Sequence, residues 1–265
     1  MLHILTMSRG DSARLVDWLC YHRSIGFEFF HIVLDNPNDD SYEVIQQASV
    51  DYNLTVEVTT LGPQGEYFDC LPSGEKWQRI SRWRKDNAQY IAESGLPIVD
   101  PLSDRQYKIL PGKLSDLKMR FPHDWVAIID VDEYIALPGI ATVKDLVETA
   151  DKPRLRLLNF NFDMEGWVEG EGVRERTRRW ARKDVVAYGK GWDQRVKSIV
   201  KLADSLPMVS VHAVSKGAFD VVAPEVARLH HYKFPNQQTP IEYAVEDESL
   251  RGWNLSHIDN LSRGE

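Results

Sequence analysis

The sequence reads as an α/β protein built on a central, mainly parallel sheet flanked by helices, and three observations predict it. The first sixty residues alternate short apolar runs with helical patterns in a β-α-β-α-β series, an order that requires crossover helices and a parallel sheet. Trp125 to Ile129 run without polar alternation, as expected of a strand buried on both faces. Acidic residues stand just after these apolar runs, at Asp11, Asp35, Asp130 and Asp132, and open α/β sheets gather their ligands beyond the carboxyl ends of strands.

Residues 2–7 carry the pattern of a first strand. Ser8-Arg9-Gly10-Asp11-Ser12 then forms a glycine-containing turn with N-cap candidates. Leu15, Leu19, His22 and Ile25 recur at helical spacing until Gly26 closes the helix. Phe29 to Leu34 is the second strand, and residues 35–41 are a turn-rich acidic loop. A helix near 41–51 and a β-branched strand at 54–59 complete the series. Residues 61–76 contain several Gly and Pro and read as a long surface loop. Residues 77–94 read as a helix rich in Arg79, Arg82, Arg84 and Lys85. Three prolines make 95–112 irregular, and a helix at 113–120 leads into the acidic strand. Residues 155–162 have a strand pattern. The segment 163–195 crowds Trp167, Trp180, Trp192 and many charges among glycines. His212, His230, His231 and Tyr232 fall in strand-like runs before a polar, helical or frayed C-terminus. There is no internal repeat and no low-complexity tract.

Composition excludes several classes. With 43% hydrophobic and 10% aromatic residues the chain reads as a soluble globular protein, and 265 residues give one large domain ample core. No apolar run approaches the ~18 residues of a membrane span. A net charge of −8 argues against broad nucleic-acid binding, which demands a basic footprint. The N-terminus lacks a basic region and a cleavage site. Cys20 and Cys70 have neither metal-ligand spacing nor a disulfide framework, which fits a reducing compartment. The expected location is therefore the cytoplasm, with peripheral membrane contact open.

The stretch Trp125-Val126-Ala127-Ile128-Ile129-Asp130-Val131-Asp132-Glu133 concentrates the chemistry. If the strand stays extended, Asp130 and Asp132 share one side. Paired carboxylates there face desolvation and like-charge repulsion unless something cationic sits between them. Hard oxygen ligands suit Mg²⁺ or Mn²⁺, which commonly hold a diphosphate as well. Glu133 points to the other face as a supporting group. A solvated acidic loop is the plain alternative.

Several segments together resemble a glycosyltransferase of the GT-A fold, in the bacterial family-2-like group related to family 92. That group carries a first helix of the form Glu-Trp-x-x-x-His-x-x-x-Gly, matched by Asp17-Trp18-Leu19-Cys20-Tyr21-His22-Arg23-Ser24-Ile25-Gly26. Its second-strand loop is matched by Asp35-Asn36-Pro37-Asn38-Asp39-Asp40-Ser41, and its acidic strand by Asp124-Trp125 through Asp130-Val131-Asp132-Glu133-Tyr134. Lys197-Ser198-Ile199-Val200, His212 and His231-Tyr232 match its late segments. The group's first-strand Asn-Glu pair is replaced here by Arg9-Gly10-Asp11.

The resemblance implies a single GT-A domain over 1–265, with 1–135 the nucleotide-binding half and 136–265 the acceptor-side half. It implies an inverting transfer of a sugar from a nucleotide-diphosphate sugar, of the UDP type, to a hydroxyl of a glycan or lipid-linked acceptor in cell-surface polysaccharide or glycoconjugate synthesis. Asp130 and Asp132 would hold Mn²⁺ or Mg²⁺, with His212 or His231 as a further ligand. His230, of opposite strand parity, is expected to be packed or exposed. Ser8, Arg9, Asp11 and Asp35 would meet the nucleoside, Asp35 alternatively capping its own turn. Arg82 or Lys85 would face the donor phosphates or else water. Asp163 and Glu165 are candidates for the general base, and Trp167 and Trp192 for apolar faces against sugar rings. The competing readings are a phosphatase-like hydrolase, a nucleotidyltransferase, and a non-catalytic nucleotide- or carbohydrate-binding module on the same fold.

Overall fold

The structure is a computed structural model that describes residues 1–69, 71–168, 171–233 and 241–253. Cys70 and the C-terminal tail lie outside the described residues. In chain order the elements are β1 (Leu2–Ser8), α1 (Ser12–Ser24), β2 (Phe29–Asp35), α2 (Ser41–Asp51), β3 (Thr55–Leu61), α3 (Ser73–Asp86), α4 (Ala88–Ser94), α5 (Pro101–Arg120), β4 (Trp125–Ile128), β5 (Glu133–Ala136), α6 (Val143–Glu148), β6 (Arg154–Asn161), β7 (Arg178–Arg179), α7 (Arg182–Tyr188), β8 (Val196–Lys201), β9 (Asp220–Val221), β10 (Arg228–His231) and β11 (Val245–Glu246).

The main sheet has the order β3-β2-β1-β4-β8-β6-β10-β5, with β9 beside β6. Its first four strands are mutually parallel. Beyond β4 the pattern changes: β8 runs antiparallel to both β4 and β6, β10 is parallel to β6 and antiparallel to β5. The sheet is therefore mixed, and the expectation of a mainly parallel sheet describes its N-terminal half. Sequence alternation of strands and helices reads only that half, because β8 enters antiparallel to both its neighbours and β10 antiparallel to β5, pairings that need no right-handed crossover.

Period-two alternation sorts the core into two layers. Ile4, Ile32, Leu34, Ala127 and Ile129 pack on one side with Leu15, Trp18 and Leu19 of α1 and Ile45 of α2. Leu5, Met7, Val33, Val126 and Ile128 pack on the other, against Leu110, Leu114 and Leu117 of α5. Every residue of β1 is buried, which is the state a central parallel strand requires.

Two helices differ from the sequence reading. The expected irregular stretch at 95–112 and helix at 113–120 are one helix, α5. Pro101 takes the first helical position, where a missing N–H costs nothing. Asp100 and Ser103 form a capping box, the Ser103 amide donating to Asp100 Oδ1 at 2.7 Å. The helix runs through Pro111 because the buried Leu110, Leu114, Leu117 stripe outweighs a single lost hydrogen bond. The expected helix at 77–94 begins earlier and divides at Asn87, whose Nδ2 donates to the Trp83 carbonyl at 2.8 Å. Among the described residues no helix is long and apolar enough to cross a membrane.

Candidate functional site

The site forms where β1, β4, β8, β6 and β10 end or turn. Strand β4 stops at Ile128, and the chain then turns, the Glu133 amide donating to the Asp130 carbonyl at 3.0 Å. Asp130 and Asp132 thus lie in a turn, not along an extended strand, and the alternation argument for their shared side does not apply. Pairing brings them their neighbours instead. In the antiparallel β10–β5 register Glu133 faces His231, and the Tyr232 amide donates to the Asp132 carbonyl at 2.8 Å.

Helix α1 holds this turn from behind. Trp18 Nε1 donates to the Glu133 carbonyl at 2.8 Å, Tyr21 donates to the Ile135 carbonyl at 2.6 Å, and His22 Nε2 accepts from the Ile135 amide at 3.4 Å. Asp17 accepts from the Tyr134 hydroxyl at 2.9 Å and from Arg174 Nε at 3.0 Å. The Asp17-to-Gly26 motif therefore serves the site as a support under β5.

Lys197 of β8 is buried, and its Nζ lies 2.7 Å from Asp130 Oδ2 and 3.1 Å from Glu133 Oε2. Glu133 Oε2 also accepts from the Asp130 amide at 2.9 Å. Burial alone lowers an ammonium's pKa, but these two carboxylates raise that of Lys197 well above its ordinary value, so it stays charged. Burial lifts the Glu133 carboxyl to about 7 against the pull of Lys197. Part of the charge compensation that the sequence reading assigned to a metal is thus supplied from within the chain.

Asp132 Oδ2 and His231 Nε2 are 3.2 Å apart, and His231 Nδ1 faces Asn159 Nδ2 at 3.1 Å. Burial would raise the Asp132 carboxyl, yet His231, with Lys233 and Arg14 beyond it, holds it well below the usual range. Asp11 reaches the same neighbourhood from the β1 turn. Ser8 Oγ donates to its Oδ2 at 2.8 Å and Arg14 Nε lies 3.9 Å from its Oδ1. Burial lifts its carboxyl to about 6, with Asp132 adding to the rise. His212 keeps access to solvent, but crowding by protein, with Lys197 and Arg195 nearby, lowers it to about 4. It is neutral at pH 7.

The other expected residues divide in their surroundings. Asp35 is buried, its carboxylate accepting from Arg105 Nε at 2.6 Å and from the Tyr67 hydroxyl at 2.9 Å. Arg9 bonds to Asp69 at 3.0 Å and to the Asn36 carbonyl, and it lies 4.2 Å above the Tyr67 ring. These two straps fix the loop after β3 over the ends of β1 and β2. Arg82 and Lys85 stand on the exposed face of α3. Asp163 follows β6, half-buried, and accepts from the Glu165 amide at 3.0 Å, while Glu165 is exposed. Trp192 is not an open platform for a sugar: Trp180 stacks on it at 5.4 Å, Tyr188 lies 5.3 Å away, and Arg195 sits over its ring. Trp167 packs against the core and donates through Nε1 to the Glu171 carbonyl at 3.0 Å. His230 is fully buried against Phe162, at 4.3 Å between rings, on the face opposite His231, as strand parity predicts.

The structure therefore gathers Asp11, Asp130, Asp132, His212 and His231 into one neighbourhood. Sequence reasoning missed Lys197, Asn159, Arg195 and Arg14 as members of it. A lysine inside the apolar run Val196 to Val200 was the available signal, because a buried strand carries a charge only opposite a partner.

The model of Glycosyltransferase family 92 matches residues 113–263, which run from within α5 through the acidic turn, β8 and β10. No curated protein matches the chain. With more than half of its length matched, including Asp130, Asp132, Lys197, His212 and His231, the chain belongs to glycosyltransferase family 92.

Proposed function

We propose that this chain transfers a sugar, with inversion, from a nucleotide-diphosphate sugar of the UDP type to a hydroxyl of a glycan or lipid-linked acceptor, and that Mn²⁺ or Mg²⁺ assists the transfer. The setting is cell-surface polysaccharide or glycoconjugate synthesis at the cytoplasmic side, with peripheral membrane contact. The observation that carries this reading is the Asp132–His231 pair, 3.2 Å apart, beside Asp130 and Asp11 at the carboxyl ends of β4 and β1.

That pair fits a divalent cation. Two donor atoms each about 2.0–2.1 Å from one octahedral ion, on adjacent corners, stand about 3 Å apart. Carboxylate with imidazole is a donor set suited to Mn²⁺, and Asn159 against Nδ1 fixes the ring as an outer partner should. Among the described residues the buried Asn159 Oδ1 has no hydrogen-bond partner. With the amide turned over, this oxygen accepts from His231 Nδ1–H and frees the Nε2 lone pair toward Asp132, and the amino group then takes the oxygen's former place. Among the described residues no three His, Cys, Asp or Glu side chains converge as a metal cluster. Asp132 and His231 would hold the cation, and phosphate oxygens and water would complete its oxygen-rich shell.

When bound, the cation supplies Lewis-acid stabilisation of the charge that grows on the departing nucleoside diphosphate. Lys197 fixes the Asp130 carboxylate from behind, and Asp11 with Ser8 shapes the nucleoside end of the cleft. Arg9 and Asp35 act there through the strapped loop carrying Tyr67. Asp163 is the proposed base for the acceptor hydroxyl, held by the Glu165 amide, with Glu165 itself the alternative. Release of nucleoside diphosphate from a panel of nucleotide sugars, with Mn²⁺, Mg²⁺ or chelator, tests the reading. Metal-dependent release with one donor class, abolished in Asp132→Ala, is expected; release that is the same in that variant overturns the site assignment.

A further inference from the structure

Arg195 stands in the last extended position before β8, at φ −65° and ψ 128°, so it shares a strand face with Lys197 two residues on. Its carbonyl accepts the Asn159 amide at 3.0 Å. Because β8 lies between β4 and β6, Arg195 sits between the acidic turn on one side and the Asn159–His231 pair on the other. Its guanidinium lies on Trp192, 4.6 Å from the ring centroid, which fixes its direction.

The two cations of this strand face are treated differently. Lys197 has two carboxylates at hydrogen-bond distance. Among the described residues the half-buried Arg195 guanidinium makes no hydrogen bond and no ion pair. Burial lowers its pKa and no neighbouring acid raises it. Five N–H donors partly removed from water without an acceptor are costly, and a planar fork of this kind matches a carboxylate or a phosphate. The nucleoside end lies at β1 and β2, on the far side of the β4 turn.

We infer that Arg195, braced on Trp192, receives an acidic group, a carboxylate or a phosphate, carried by the acceptor. This rests on the transferase reading above and narrows it to acidic acceptors. The test titrates methyl β-D-glucuronide, glucose 6-phosphate and methyl β-D-glucoside against the full chain, with and without UDP and Mg²⁺, in wild type, Arg195→Lys and Arg195→Gln. Wild type is expected to bind at least one acidic sugar about 10- to 100-fold more tightly than the neutral glycoside. Arg195→Gln loses that preference, Arg195→Lys keeps part of it, and UDP affinity is unchanged in both. Equal binding of acidic and neutral sugars by wild type overturns the inference, as does an acidic preference that survives in Arg195→Gln. A loss of UDP affinity in Arg195→Gln also overturns it, because the guanidinium then serves the donor. Failure of UDP to bind wild type strikes the transferase reading instead, and the titrations without UDP still read Arg195.

Discussion

Replacing Lys197 with Met tests whether the acidic turn depends on a cation supplied by its own chain. Lys197 and Glu133 are each about 1% exposed, with Nζ 3.1 Å from Oε2. Removing one partner leaves the Glu133 carboxyl, already lifted to about 7, either to take up a proton or to stand uncompensated, a change that costs up to about 3–5 kcal/mol. Asp130, 39% exposed, can rehydrate and adds at most about 1 kcal/mol. Against a total stability of about 5–15 kcal/mol the loss is large. Urea unfolding followed by tryptophan fluorescence, read as the midpoint at constant slope, measures it. The double variant Lys197→Met with Glu133→Gln removes both charges and keeps an oxygen to accept the Asp130 amide. It should recover more than half of the loss. A Lys197→Met penalty under about 1 kcal/mol, or no recovery in the double variant, refutes the reasoning.

Two further perturbations follow from the support around the site. His22 Nδ1–H donates to the Trp18 carbonyl while Nε2 accepts from the Ile135 amide, and His230 Nε2 accepts from Arg228 Nε. Both rings are therefore neutral, and burial lowers each to about 3. The unfolded chain binds protons below about 6.5 that the folded chain refuses, so stability is full above that pH and falls by up to about 1.4 kcal/mol per unit for each histidine down to about pH 3. Urea midpoints between pH 4 and 7 should show this fall and should flatten by one histidine's share in His230→Gln; an unchanged slope contradicts it. Trp18→Phe leaves the buried Glu133 carbonyl without the Nε1 donor and should cost about 1–3 kcal/mol, together with weaker metal-dependent donor binding in calorimetry. Full stability with unchanged binding denies α1 its role under the turn.

The N-terminal half was legible because its signals are local. β1 and β2 announce themselves as mostly apolar runs and β4 as an unbroken one, and α1 as helical spacing closed by Gly26. Pro111 misled because a proline reports local backbone cost, whereas the Leu110, Leu114 and Leu117 stripe that overrides it is paid only on packing against β1 and β4. The acids of the turn were found by position, but their geometry came from long-range pairing. Only the β10–β5 register sets His231 beside Asp132, 99 residues away in sequence. Lys197 stood out in sequence only as a charge within an apolar run, and Arg195 not at all, because β8 inserts between β4 and β6 and no local pattern says where a late strand enters a sheet. Trp192 shows the converse, an aromatic flagged for an exposed role that its neighbours Trp180 and Arg195 occupy.

The most direct test of the central claim, that Asp132 and His231 bind a donor through a divalent cation, is calorimetric titration of UDP into wild type, Asp132→Asn, His231→Gln and the double variant, with Mn²⁺ and again with chelator. The account predicts metal-dependent binding in wild type, at least a tenfold loss in each single variant, and a double variant no worse than the weaker single, because both side chains act through one ion. Binding of equal strength with chelator, or losses that simply add, would contradict it.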